Sequence, residues 1–203
     1  MIYSQNNEQI LIEKYFGNYK GTLLDIGAND GVTLSNSYAL IQRGWRGSLV
    51  EPSPKAFEIL KETHRTKEGI FCFNAAICDK TADMTLYESG SHLGDQDVSL
   101  LSSLKEEETV KWNGSTTFEK VKVQSVRFDL FMVISPYQIF DFISIDAEGY
   151  DLEILTQMDL SALKVRCLCV EWNGKGMNVF QEYCSKFDLH LIHQNNENLI
   201  FVK

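Results

Sequence analysis

Positive charge is what this sequence has least of. Lys and Arg total 19 against 28 Asp and Glu, the net charge is -9, and no Lys/Arg run is longer than two. A protein that grips a nucleic-acid backbone needs the opposite balance, so no nucleic-acid partner is expected. Long apolar runs are also missing. No stretch approaches the roughly 20 residues that span a bilayer, and Met1 to Glu8 carries neither the basic nor the apolar segment of a signal peptide. The expectation is a cytoplasmic protein with no membrane partner. Cysteine is scarce and odd in number: Cys72, Cys78, Cys167, Cys169 and Cys184. Cys167 and Cys169 form C-x-C rather than C-x-x-C, so buried structural thiols are expected in place of a zinc knuckle or a disulfide framework. Two nucleotide signatures are absent as well. There is no G-x-G-x-x-G, and no Lys follows the one glycine turn as a phosphate-gripping loop requires.

What is present starts with Thr22-Leu23-Leu24-Asp25-Ile26-Gly27-Ala28-Asn29-Asp30-Gly31. A β-branched and apolar run leads into a glycine-supported turn that opens a helix, with Leu34, Tyr38 and Ile41 on one face. The spacing is Asp-x-Gly-x-x-x-Gly. An acidic residue two before the first glycine suits a cationic or polyhydroxyl ligand, a methionine-type ammonium among them. The alternative is an ordinary turn between strand and helix.

The rest of the 203 residues repeats the alternation of strand and helix. An amphipathic helix is expected over about 5–17. Ser48 to Glu51 is a second strand, and Ser53 with Pro54 starts the next helix. Ile70 to Phe73 is a third strand, and Met84 to Tyr87 an added one. About 89–118 has no clear period and is expected to be an insertion or lid in a single domain. Val121 to Val126, Phe140 to Asp146 and Val165 to Val170 are further strands, and Leu189 to His193 with Leu199 to Val202 a closing hairpin. This pattern implies an α/β fold: a mostly parallel sheet with an antiparallel C-terminal hairpin and helices on both faces. Ligands of such sheets bind outside the carboxyl ends of the strands. Asp25-Ile26-Gly27, Glu51, Asn74, Asp146 and Glu171 all lie at such ends. Glu51, about 20 residues after the glycine turn, can accept both hydroxyls of a ribose, which nicotinamide cofactors and S-adenosylmethionine share. Asn74 either reads an adenine edge or forms a turn.

Five segments together resemble the FkbM family of S-adenosylmethionine-dependent methyltransferases. They are Leu24 to Gly31, Val50-Glu51-Pro52, Asn74-Ala75-Ala76, Ser102-Ser103-Leu104 and Ile145-Asp146-Ala147-Glu148-Gly149-Tyr150-Asp151. The resemblance implies a class I, Rossmann-like methyltransferase sheet of about seven strands and O-methylation of a sugar or other small molecule. It implies that Gly27, Ala28, Asn29 and Gly31 line the methionine and ribose side of the cofactor, with Asp25 beneath. Glu51 and Pro52 would hold the ribose, Asn74, Ala75 and Ala76 would flank the adenine, and Asp146 would sit near the sulfonium. A hydroxyl is a poor nucleophile, so a base is expected from Asp146, Glu148 or His92. Asp146, Glu171 and Asn173 are oxygen donors on adjacent strand ends, a set suited to Mg²⁺. Small methyltransferases acting on catechols resemble that arrangement, although Trp172 interrupts the acid-amide pair here. The expected partner is a small-molecule or glycan acceptor. A non-catalytic cofactor-binding protein and a nucleotide-dependent oxidoreductase are the alternatives.

Overall fold

A computed structural model describes residues 1–94, 97–174 and 176–203. The pattern of apolar residues decides how the strands pack. The apolar runs are continuous rather than alternating, so both faces of the strands must be covered. Strand β1 (Thr22–Ile26) shows how: Leu24 and Ile26 face one core, and Leu23 the other. The same alternation holds in β7 (Phe142–Ile145) and β8 (Cys167–Glu171), where Ile143, Ile145, Leu168 and Val170 point to the first core and Phe142, Cys167 and Cys169 to the second. All five cysteines are free thiols, and burial raises those of Cys167 and Cys169 far above the usual range.

Helix α1 (Glu8–Phe16), α2 (Tyr38–Gln42) and α3 (Pro54–Thr63) cover the second core through Ile12, Phe16, Leu40, Ile41 and Leu60. Helices α5 (Phe128–Ile134), α6 (Asp151–Leu155) and α7 (Met177–Ser185) cover the first through Phe128, Phe131, Ile154, Leu155, Phe180 and Cys184. With β2 (Arg46–Val50), β3 (Ile70–Phe73), β9 (His190–Gln194) and β10 (Asn198–Val202), the strands form one sheet in the order β3-β2-β1-β7-β8-β10-β9. Every pair is parallel except those of β10, which inserts antiparallel between β8 and β9. The order reverses between β1 and β7, and there the strand ends open.

Two expectations need correction. The helix after Gly31 begins only at Tyr38, because side chains take the amides that would start it earlier. Asp30 accepts the N–H groups of Val32 and Thr33, and Ser35 Oγ accepts those of Ser37 and Tyr38. The added strand, β5 (Ala82–Ser89), does not join the large sheet. It pairs antiparallel with β6 (Phe118–Val126), which pairs with the short β4 (Ala76–Ile77) in a separate three-stranded sheet. The stretch between β5 and β6 contains α4 (Glu106–Thr109) and a 3₁₀ turn (Val110–Trp112). Among the described residues, no helix is long and apolar enough to cross a membrane.

Candidate active site

A cavity of about 250 Å³ lies over the carboxyl ends of β2, β1, β7 and β8. The glycine turn forms its first wall. Asp146 N donates to Ile26 O, and Gly27 N and Ala28 N both donate to Val50 O, so three strand ends are tied at one point. Gly27 has φ +81°, and a Cβ there would lie 1.6 Å from the Asp146 carbonyl oxygen. Glycine is therefore required by a backbone neighbour as well as by the turn.

Glu51 is 4% exposed, and both its oxygens are engaged from below. Asn29 N donates to Oε2 at 2.9 Å and Ser53 N to Oε1 at 2.7 Å. Burial pushes this carboxyl up to about 7 against those two donors, with the Asp25 and Glu88 carboxylates adding to the rise. Asp25 is also buried; burial raises it to about 6, opposed by the Ser37 hydroxyl that donates to its Oδ2. Carboxylates that accept several hydrogen bonds yet sit in low dielectric are fixed in place and favour a polar or cationic neighbour.

The second wall is more acidic still. Carboxylate oxygens of Asp146, Glu148 and Glu171 all lie within 4.8 Å of one another. Burial raises all three, and the Asp151 carboxylate adds to each; Asp146 further raises Glu148 and Glu171, against a hydrogen bond from the Asn173 side chain to Glu171. The turn that carries Glu148 (φ +45°) is held by Asp151, whose oxygens accept the N–H groups of Ala147 at 2.8 Å and Gly149 at 3.0 Å. Asp151 therefore shapes the turn, and Glu148 is left facing the cavity. Among the described residues, six carboxylates line the cavity, those of Asp25, Glu51, Asp146, Glu148, Glu171 and Glu197, against one lysine, Lys111.

The roof comes from the insertion. Ser99 to Ser102, Leu104, Lys111, Trp112, His92 and Leu93 line the cavity. The His92 and Trp112 rings meet edge to face at 4.9 Å, and His92 Nδ1 is buried without a hydrogen-bond partner among the described residues. The loop bearing His92 is wound around Asp97, which accepts the N–H groups of His92, Leu93 and Gly94. Burial pushes the Asp97 carboxyl up, but those donors outweigh it and hold it below the ordinary value. Ser103 Oγ donates to Glu148 O at 2.7 Å, and Lys105 Nζ reaches Glu153 and lies over the Tyr150 ring, so the roof is fastened to the second wall. Asn29 Nδ2 donates to Val98 O and fastens it to the first.

The sequence matches the methyltransferase FkbM domain over residues 25–196. The chain belongs to the FkbM methyltransferase family. No curated relative matches it. Solved structures give the fold. A ribosomal protein L11 methylase from Lactobacillus delbrueckii subsp. bulgaricus superposes with a TM-score of 0.52 at 8% identity, covering 97% of this chain and 77% of that one. A putative RNA methyltransferase from Pyrococcus horikoshii gives 0.50 at 12%, covering 97% and 82%. Monomeric WbdD gives 0.50 at 11%, covering 98% of this chain but only 41% of that one, so this chain spans less than half its length. These likenesses show a class I methyltransferase sheet.

Within this FkbM-family chain, Asp25, Gly27, Ala28, Asn29, Glu51, Pro52, Ala75, Ala76, Asp146, Glu148, Glu171, Asn173 and His92 all line the one cavity. Gly31 and Asn74 do not. Gly31 faces away from it, and a Cβ there would meet Leu60 and His64 of the α3 segment. Asn74 is exposed, and its amide donates to the carbonyls of Glu51 and Pro52, which makes it a brace for the β2 turn. The sequence gives no sign of Lys111, Gln5 and Glu197 at the site. The last two arrive through a clamp: the buried Glu8 carboxylate accepts from Asn6 N, Asn195 Nδ2 and Asn198 Nδ2, and Asn6 Nδ2 donates to Glu197. Burial raises the Glu8 carboxyl, but these donors and its own backbone N–H bring it below the ordinary value. A Glu at the start of a helix and an Asn-rich turn 187 residues later carry no local sign that they meet.

Proposed function

We propose that this protein is an S-adenosylmethionine-dependent methyltransferase acting on a hydroxyl of a sugar or similar small molecule. The observation that supports it most is the acidity of the cavity: six carboxylates to one lysine among the described residues, with Glu51 seated at the end of the second strand. A cofactor with an ammonium, a sulfonium and a ribose fits such walls. A dinucleotide pyrophosphate would meet carboxylates where it needs N–H donors and positive charge, so the oxidoreductase reading is disfavoured.

Asp25, Gly27, Ala28 and Asn29 would hold the methionine side, Glu51 and Pro52 the ribose, and Ala75 and Ala76 the base. When bound, the cofactor supplies a methyl group that leaves with its C–S electron pair remaining on sulfur, while an acceptor-oxygen lone pair forms the new O–CH₃ bond. The chain's own residues position the two reactants, which is worth on the order of 7–11 kcal/mol in well-oriented systems. The hydroxyl proton passes to a base of the second wall or roof: Asp146, Glu148 or His92. Carboxylates raised by burial are stronger bases than exposed ones, which suits that role.

Methyl-labelled cofactor offered to a panel of free sugars and small polyols, with amines and thiols alongside, tests this reading. Label should appear as an alkali-stable ether. Label found only on nitrogen or sulfur, or in no acceptor while the protein still binds the cofactor, would overturn it in favour of another acceptor atom or a non-catalytic binding protein.

A further inference from the structure

The second wall holds more negative charge than methyl transfer to a neutral hydroxyl requires. Asp146 ends β7, Glu148 rides on the turn after it and Glu171 ends β8, and their oxygens converge within 4.8 Å. Three such groups stay together only with protons shared among them or with a positive charge between them. Glu171 adds an independent sign. It is 6% exposed, it faces the cavity, and among the described residues its Oε2 has no hydrogen-bond partner, although the Asn173 side chain supports the carboxylate. A buried carboxylate oxygen left unpaired costs free energy that a ligand would recover.

We infer that Asp146, Glu148 and Glu171 form a binding site for a hard divalent cation at the acceptor end of the cavity. This rests on the methyltransferase reading only for its use, not for the binding itself. All three donors are oxygens, which selects Mg²⁺, Mn²⁺ or Ca²⁺ over softer metals. Bond lengths of roughly 2.1 Å for Mg²⁺ and 2.4 Å for Ca²⁺ put adjacent ligand oxygens about 3.0 and 3.4 Å apart. The three carboxylates, within 4.8 Å of one another, would draw together around the ion. Asn173, which also lines the cavity, stands two residues beyond Glu171 as a further oxygen donor.

The site narrows the acceptor. An ion with three protein ligands keeps positions for two adjacent oxygens of a substrate, so the favoured acceptor carries a vicinal diol or a hydroxyl beside a carbonyl. The ion acidifies the hydroxyl it holds. With the three carboxylates serving as ligands, His92 is the base left to take the proton, through the Nδ1 that is buried and unpartnered among the described residues. Lys111 is the competing occupant. Its ammonium feels Glu148 and Glu171, and burial opposes the rise that Glu108, its ion-pair partner, and those two glutamates produce.

The test is titration of Mn²⁺ alone into the full chain, read by loss of the free-ion electron paramagnetic resonance signal, with no cofactor present. One ion per chain should bind saturably, Mg²⁺ should compete, and Glu171→Gln and Asp146→Asn should each weaken binding at least about 10-fold. Glu106→Gln, on an exposed acid of the roof, should leave it unchanged. No saturable binding up to about 1 mM, binding equal in all four proteins, or binding that appears only in Lys111→Gln would overturn the inference. Calorimetry of S-adenosylhomocysteine in EDTA reads the cofactor site separately. Cofactor binding without Mn²⁺ binding sinks the cation alone, and Mn²⁺ binding without cofactor binding sinks the methyltransferase reading alone.

Discussion

The two walls of the cavity are built from the same material and finished differently. Around Asp25 and Glu51 each carboxylate is met from behind by donors of its own chain: Ser37, Asn29 N and Ser53 N. Around Asp146, Glu148 and Glu171 the carboxylates face one another, and one oxygen has no donor among the described residues. The first wall is complete as it stands and waits for a ligand that donates hydrogen bonds. The second is poised for positive charge. A turn that organises itself locally can be preformed, whereas the second wall is held by the strands, by Asp151 beneath and by Ser103 and Lys105 of the roof.

The largest expected effect comes where the walls join. Gly27→Ala would drive a methyl into the Asp146 carbonyl and impose φ +81° on an alanine. A loss of about 3 kcal/mol or more, or roughly 6–12 °C in Tm, should follow and be visible by calorimetric melting. Next is Glu51→Ala, which strikes the first wall alone. Loss of hydrogen bonds from two ribose hydroxyls to a buried carboxylate should weaken S-adenosylhomocysteine about 100-fold. The matching lesion in the second wall, Glu171→Gln, should leave that affinity within about 2-fold, while any loss comparable to Glu51→Ala would erase the distinction between the walls.

Protonation sharpens the contrast further. Glu51 near 7 and Asp25 near 6 are raised above their unfolded values. Between about pH 4.5 and 7 the folded chain therefore holds protons the unfolded chain has released, and stability falls as pH rises through that window. A ligand whose hydroxyls donate to Glu51 prefers the ionised form, so the rise in Tm caused by S-adenosylhomocysteine should grow from about pH 6 to 8. A flat response would show that Glu51 does not meet the ligand. The smallest effect is expected in the roof. Ser103→Ala removes its bond to Glu148 O, worth about 1 kcal/mol, and should raise acceptor KM several-fold without moving cofactor affinity.

How legible this was in the sequence follows from the same contrast. The first wall is local: Asp25, Gly27 and Glu51 sit on strand ends whose apolar runs announce themselves, and their spacing suits a ribose or ammonium ligand as well as an ordinary turn. The sheet was legible for that reason too, with β10 found antiparallel and inserted between β8 and β9. The start of α2 was not, because Asp30 and Ser35 compete for its first amides. Nor was the placement of β5, whose period fits any sheet and whose partner lies across the insertion. Asn74 had two open readings, and the carbonyls it braces decide for the turn. Lys111 and the Glu8 clamp depend on distant contacts that no local pattern encodes.

One measurement bears most directly on the proposed cofactor site: calorimetric titration of S-adenosylhomocysteine into the folded protein and into Glu51→Ala at about pH 8, above the Glu51 value of about 7. The account predicts one saturable site in the parent protein and an affinity about 100-fold lower in the variant. No heat from the folded parent, or equal affinity in both proteins, would contradict it.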